Sequence, residues 1–149
     1  MGLEKYKQKR DLEKSHEPKA EVGQKKDKNL TYVVQKHHAQ NLHYDLRLEH
    51  EGVLWSWAVP KKPSDSGIKR LAIRTEDHPL DYAGFEGEIP KGHYGAGRVK
   101  IWDKGFWEPE DIKKNKIVFK IKGDRLNGKF VLINLKDQEK NWLFFKVGD

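Results

Sequence analysis

Eight short runs rich in β-branched and aromatic residues follow one another from Thr31 onward: TYVVQ, HYDLRLE, VLWSWAV, LAIR, RVKIW, IVFKIK, KFVLINL and WLFFKV. Each is too short for a helix of ordinary length, and Gly, Pro, Asn and Asp lie between them. Many short strands in one compact chain must cover or pair their edges, so the pattern specifies an antiparallel barrel or sandwich. Asn127-Gly128, between two such runs, is expected to form a hairpin turn, and residues 136–141 a second one. The C-terminal third is then a three-stranded meander. Only residues 109–115 have a locally helical character.

Two stretches break the pattern. Residues 60–69 hold two Pro, two Ser and a Gly, and residues 76–97 are rich in Gly. Long Gly-rich loops in a compact β domain often carry function. Residues 1–29 differ from everything after them: they are charged, with little apolar periodicity and one helical turn expected near the start. Two regions are therefore expected, a charged N-terminal arm over 1–29 and a β domain over 30–149. Composition alone makes the arm a floppy tail.

The chain has 149 residues, a formal net charge of +7 and a pI near 9.4. This length closes one core. Its charge suits a polyanionic partner, although a solubilising surface has the same balance. With no Cys, disulfides, thiolate zinc sites and Cys nucleophiles are excluded, and a reducing cytoplasm is a natural setting. The absence of Cys, the single Met and the many Lys and Glu also suit a thermophile. No apolar run reaches the length of a membrane span, and no signal peptide opens the chain. The expected location is cytoplasmic, with no membrane partner.

The chemistry concentrates in HYDLRLE. Side chains alternate along a strand, so His43, Asp45, Arg47 and Glu49 share one face and Tyr44, Leu46 and Leu48 the other. His43 and Asp45, about 6–7 Å apart at Cα, can chelate one ion. His37, beyond a bend at Ala39-Gln40-Asn41, can complete a set of two imidazoles and a carboxylate. Such N/O sites suit manganese, iron, cobalt or zinc. Arg47 stays protonated and is suited to gripping a phosphate. Taken alone, H-x5-H-x-D-x-R also describes a strand with a solvated, salt-bridged face.

His78, before Pro79, is held extended and can donate to a phosphate oxygen or protonate a leaving group. Lys61, just past VLWSWAV, is a candidate phosphate contact. Trp55 and Trp57 share a face by period two and are expected in the core. His93 and Tyr94 fall in a Gly-rich loop whose expected role is structural. Neither His38 nor His50 shares the face of His43, and His16 lies in the arm.

Residues 35–49 (QKHHAQNLHYDLRLE), 56–61 (SWAVPK), 76–82 (EDHPLDY), 85–87 (FEG), Ile89-Pro90 and 92–97 (GHYGAG) closely resemble, in this order, the 3′-phosphoesterase domain of bacterial DNA ligase D. Free-standing archaeal relatives are similar in length. The resemblance implies an all-β fold, mainly a small antiparallel β-barrel with a polar central active site and short helical turns only. It implies a Mn2+-dependent enzyme, with Co2+ or Zn2+ as other metals. A phosphodiesterase step would remove the terminal nucleoside from a primer-template ending in a 3′ ribonucleotide, and a phosphomonoesterase step would convert the 3′-phosphate to a 3′-hydroxyl. By resemblance, His37, His43 and Asp45 are the metal ligands, Arg47, His78 and Tyr82 catalytic residues, and Arg10, Asp11, Glu17, Lys61, Arg70 and Glu76 substrate- or phosphate-binding residues. The match at Arg10 and Asp11 turns the arm from a passive tail into a segment expected to dock on the site. The sequence carries no polymerase or ligase motif, so a separate DNA ligase, a polymerase or primase and Ku-like proteins are the implied partners in end joining. Two other classes share parts of this pattern: a non-haem iron oxygenase on a β-barrel, and a non-catalytic nucleic-acid-binding module.

Overall fold

A computed structural model describes residues 3–9 and 29–148. Nine strands follow a short helix: α1 (Glu4–Lys9), β1 (Leu30–His38), β2 (Leu42–His50), β3 (Val53–Val59), β4 (Arg70–Pro79), β5 (Gly87–Ile89), β6 (Gly97–Lys113), β7 (Lys116–Gly123), β8 (Asn127–Asn134) and β9 (Asn141–Lys146). A 3-10 helix spans Leu80–Gly84. All pairings are antiparallel, in the order β1-β2-β3-β4-β9-β8-β7-β6, and β1 also pairs with β6. The sheet thus closes into an eight-stranded barrel, with β5 added outside on β6. The eight expected strand runs are the eight barrel strands, and the C-terminal meander is β7-β8-β9.

Closure gives every strand two environments. Tyr32, Val34, Leu46, Leu48, Trp57, Trp107, Phe119, Phe130, Leu132 and Phe144 fill the interior. Their period-two spacing sends the alternate residues outward. On β1 and β2 those outward residues include Gln35, His37, Asp45, Arg47 and Glu49, all buried although they lie outside the barrel. The 3-10 helix, β5 and the loop that follows it roof them over, and α1 seals one side through Tyr6, packed with Leu54 and Tyr82. The polar centre is therefore on the outer wall of the barrel, and the barrel's own centre is apolar.

Three local expectations change. Residues 109–113 continue β6 instead of forming a helical turn, with Pro109 opposite Phe119 at a register shift. A bulge accommodates the missing N–H, and pairing with β7 overrides local propensity. Asn127-Gly128 lies within β8, and the hairpin turn falls three residues earlier, over 124–126. The cause is buried Asp103, whose Oδ1 accepts from the N–H groups of Asp124 and Arg125 and whose Oδ2 accepts from that of Leu126 and from the Tyr32 hydroxyl. Finally, residues 76–79 of the expected irregular stretch complete β4, and β5 is too short to signal itself.

Candidate active site

The β1–β2 hairpin sets the geometry. His37 pairs directly with His43, and Gln35 with Asp45, so period two on both strands lines up four polar side chains. His37 Nδ1 lies 3.5 Å from Asp45 Oδ2, and His43 Nε2 lies 3.3 Å from Asp45 Oδ1. One ligand atom from each of the three residues falls within 4.8 Å of the others.

The far nitrogens decide what this cluster is. His37 Nε2–H donates to the Gly95 carbonyl at 2.6 Å, and His43 Nδ1–H donates to the Asn41 carbonyl at 3.0 Å. A carbonyl can only accept, so each of these two nitrogens carries a proton; the nitrogen that faces Asp45 is a lone pair in the neutral ring and a second N–H donor in the protonated one. In the neutral form two lone pairs and a carboxylate converge, an arrangement that calls for a proton or a cation between them. Burial pushes the Asp45 carboxyl up, but the two imidazoles and Arg47 outweigh it and hold the group well below the usual carboxylate range. Burial draws His43 down, and Asp45 and the Asn41 carbonyl raise it above its ordinary value in spite of that and of Arg47. The donor set fits a divalent transition ion on its chemistry: two imidazole nitrogens with hydrogen-bonded backs and an ionised carboxylate.

Arg47 is 3% exposed and held on all sides. Its Nε donates to Gln35 Oε1 at 2.6 Å, its Nη1 to Ser56 Oγ at 2.8 Å, its Nη2 lies 3.5 Å from Asp45 Oδ2, and its guanidinium sits 4.7 Å from the Tyr82 ring centroid. Gln35 is fully buried and donates in turn to the carbonyls of Tyr82 and Phe85, which ties the arginine to the 3-10 helix. His78 Nδ1–H donates to its neighbour Glu76's carbonyl at 2.9 Å, so in the neutral ring Nε2 is the acceptor. Tyr6 of α1 and Tyr82 both meet the His78 ring edge to face, at 5.1 and 4.6 Å.

These residues line one cleft of about 270 Å³, with His37, His43, Asp45, Arg47, Glu76, His78 and Tyr82 all on its wall. Seven of the expected site residues are thereby brought together. Lys61 is exposed beyond β3, and Arg70 donates to the Lys62 carbonyl at 2.8 Å; neither lines the cleft. Arg10, Asp11 and Glu17 lie outside the described residues. Glu49 shares the outward face but binds the start of β1, accepting from Thr31 N–H at 2.8 Å. Tyr94, expected to be structural, stands at the rim, and Gly95 beside it holds His37. The same loop returns to the barrel at Gly97 (φ 135°), where a Cβ would strike the His38 carbonyl. Sequence reasoning assigned no role to Gln35 or Ser56. A signal for both existed: Gln35 precedes His37 by two, and Ser56 faces away from Trp55 and Trp57 in an otherwise apolar strand.

Residues 35–134 match the family model of the DNA ligase D 3′-phosphoesterase domain. The chain is 47% identical to the multifunctional non-homologous end joining protein LigD of Pseudomonas aeruginosa, over 99% of this chain and 19% of that protein. It is 43% identical to LigD of Mycolicibacterium smegmatis, over 99% of this chain and 21% of the relative. For LigD of Mycobacterium bovis the identity is 46%, over 97% of this chain and 20% of the relative. The chain spans about a fifth of the length of these relatives. With the barrel, the outer-wall cleft and these matches together, the chain belongs to the DNA ligase D 3′-phosphoesterase domain family.

Proposed function

We propose that this chain is a Mn2+-dependent phosphoesterase that processes the 3′ ends of DNA and RNA strands. It would remove a terminal ribonucleoside and then the remaining 3′-phosphate to leave a 3′-hydroxyl for repair. The observation that carries this reading is the convergence of two proton-committed imidazoles and an ionised carboxylate beside a locked guanidinium in one cleft. His37, His43 and Asp45 would hold the ion; Mn2+ is the first candidate, Co2+ and Zn2+ others. Bound there, the ion supplies Lewis-acid charge neutralisation at a phosphoryl oxygen.

The protein's own groups do the rest. Arg47 offers a planar pair of donors to non-bridging oxygens. Its fixed partners mean that little reorganisation accompanies charge build-up. His78, when protonated, presents Nε2–H as a donor to a phosphate oxygen or as an acid toward the leaving oxygen. Tyr82 packs against both and sets their mutual orientation. Lys61, Arg70 and Glu76, with Arg10, Asp11 and Glu17 of the arm, are proposed to contact the strand around its end. Docking of α1 through Tyr6 onto His78 and Tyr82 supports an arm that closes on the cleft. Among the described residues no helix is long and apolar enough to cross a membrane. A cytoplasmic role beside ligase, polymerase or primase, and Ku-like proteins belongs to this reading, and the end-joining names of the relatives support it.

The test is a 5′-labelled primer ending in one ribonucleotide, incubated with Mn2+ or with EDTA. We expect a product one nucleoside shorter with a 3′-phosphate, then its 3′-hydroxyl form, in Mn2+ only. Equal product in EDTA would remove the metal from the reading, and strand binding with no product in either would leave a binding module.

A further inference from the structure

The inner side of the β3–β4 wall carries a second cleft, of about 340 Å³, that the phosphoesterase site does not use. It is lined by Trp55, Trp57 and Trp142, by Arg74 of β4, and by Lys113 and Lys114 at the β6–β7 turn. Three features distinguish it from a gap in the core. The Arg74 guanidinium lies 4.7 Å from the Trp57 ring centroid, held by Asp77 and the Ser56 carbonyl, so a cationic group is already fixed over an indole. Trp55 is only half-buried and is backed by the ring of His50, stacked at 3.9 Å. Lys113 and Lys114 are exposed, and Lys113's partner Asp111 is itself exposed, so the ion pair yields readily to a competing anion.

We propose that this cleft is a nucleic-acid contact that stacks an unpaired base of a single-stranded segment, with Lys113 and Lys114 on its phosphates. Aromatic faces beside flexible ammonium groups are what a sequence-tolerant single-strand site requires. A guanidinium fixed over an indole adds a cation–π partner beside the exposed aromatic face. The chain's net charge of +7 favours a polyanion over a neutral ligand. Position adds a second argument. Trp57 and Arg74 line this cleft while their chain neighbours Ser56 and Thr75 face the phosphoesterase site, so one wall of two strands separates them. A strand whose end is held outside can rest an unpaired stretch on the same wall. This inference rests on the reading of the chain as an enzyme of nucleic-acid ends.

The experiment measures affinity without turnover: full-length protein in EDTA with a fluorescent single-stranded oligonucleotide. Lys113→Glu/Lys114→Glu and Trp55→Leu are compared with wild type. The lysine pair is exposed, so that variant stays folded even where the tryptophan variant does not. We expect affinity to fall on the order of tenfold in each. Mn2+-dependent hydrolysis of a 3′-phosphomononucleotide, too short to reach the cleft, should be unchanged. An oligonucleotide carrying 5-iodouracil should crosslink to Trp55. Unchanged affinity in the lysine variant, or equal competition by polyglutamate of matched charge, would overturn the proposal. If wild type hydrolyses nothing, the phosphoesterase reading fails while the affinity comparison still decides this one.

Discussion

The two faces of β2 are both buried, and they are built on opposite principles. Inward, Tyr44, Leu46 and Leu48 pack into an apolar interior where shape and area matter and direction matters little. Outward, Asp45, Arg47 and Glu49 are as deeply covered, and each buried charge needs specific partners to offset its desolvation. One face holds the barrel closed. The other is tolerated because Gln35, Ser56 and backbone carbonyls satisfy it, and that degree of preorganisation is what an electrostatic catalyst needs.

Substitutions that act on one face and spare the other should break this comparison cleanly if it is right. Asp45→Asn should show the largest effect: turnover of 3′-end substrates falls by about three orders of magnitude or more, with the thermal melt little changed. Single-turnover rates and a melting curve check it. Arg47→Lys keeps the charge but loses the planar fork, and the rate should fall on the order of 10²–10³-fold with metal binding retained. A near-normal rate for the lysine variant would make Arg47 a general positive charge.

The inner face should answer in the other currency. Leu46→Ala leaves a cavity in the apolar interior and should lower stability by roughly 2–5 kcal/mol, read by urea denaturation. Turnover per folded molecule should stay within a few-fold of wild type. Smaller effects sharpen the boundary between the faces. Gln35→Leu removes the acceptor for Arg47 Nε and the tie to Tyr82, and should cost about 10–100-fold in turnover, as for residues that orient metal ligands. Tyr6→Ala removes the ring that α1 sets against His78 and Tyr82, and should slow turnover by up to about 100-fold through misplacement alone. The loss should be larger on the diester than on the 3′-phosphate, since the diester has a nucleoside more to hold.

Period two made the metal-ligand candidates legible, because alternation places His43 and Asp45 together whatever the strand's neighbours are. The eight barrel strands were legible for the same reason. What failed was decided at a distance. The β7–β8 turn moved because Asp103, some twenty residues earlier, accepts three turn amides. Residues 109–113 stayed extended because β7 pairs with them. The side of the wall that holds the polar centre depends on ring closure between β1 and β6, which no local pattern records. Gly95 acts through its carbonyl, which leaves no mark on side-chain chemistry.

The cluster of His37, His43 and Asp45 is the point on which the functional reading turns, and a manganese titration followed by electron paramagnetic resonance addresses it without any assay of activity. Protein added to Mn2+ at neutral pH should extinguish the signal of the free hydrated ion with one site per chain, and Asp45→Asn, folded by its melting curve, should leave that signal intact. Equal uptake by both proteins would place the ion elsewhere and contradict the assignment.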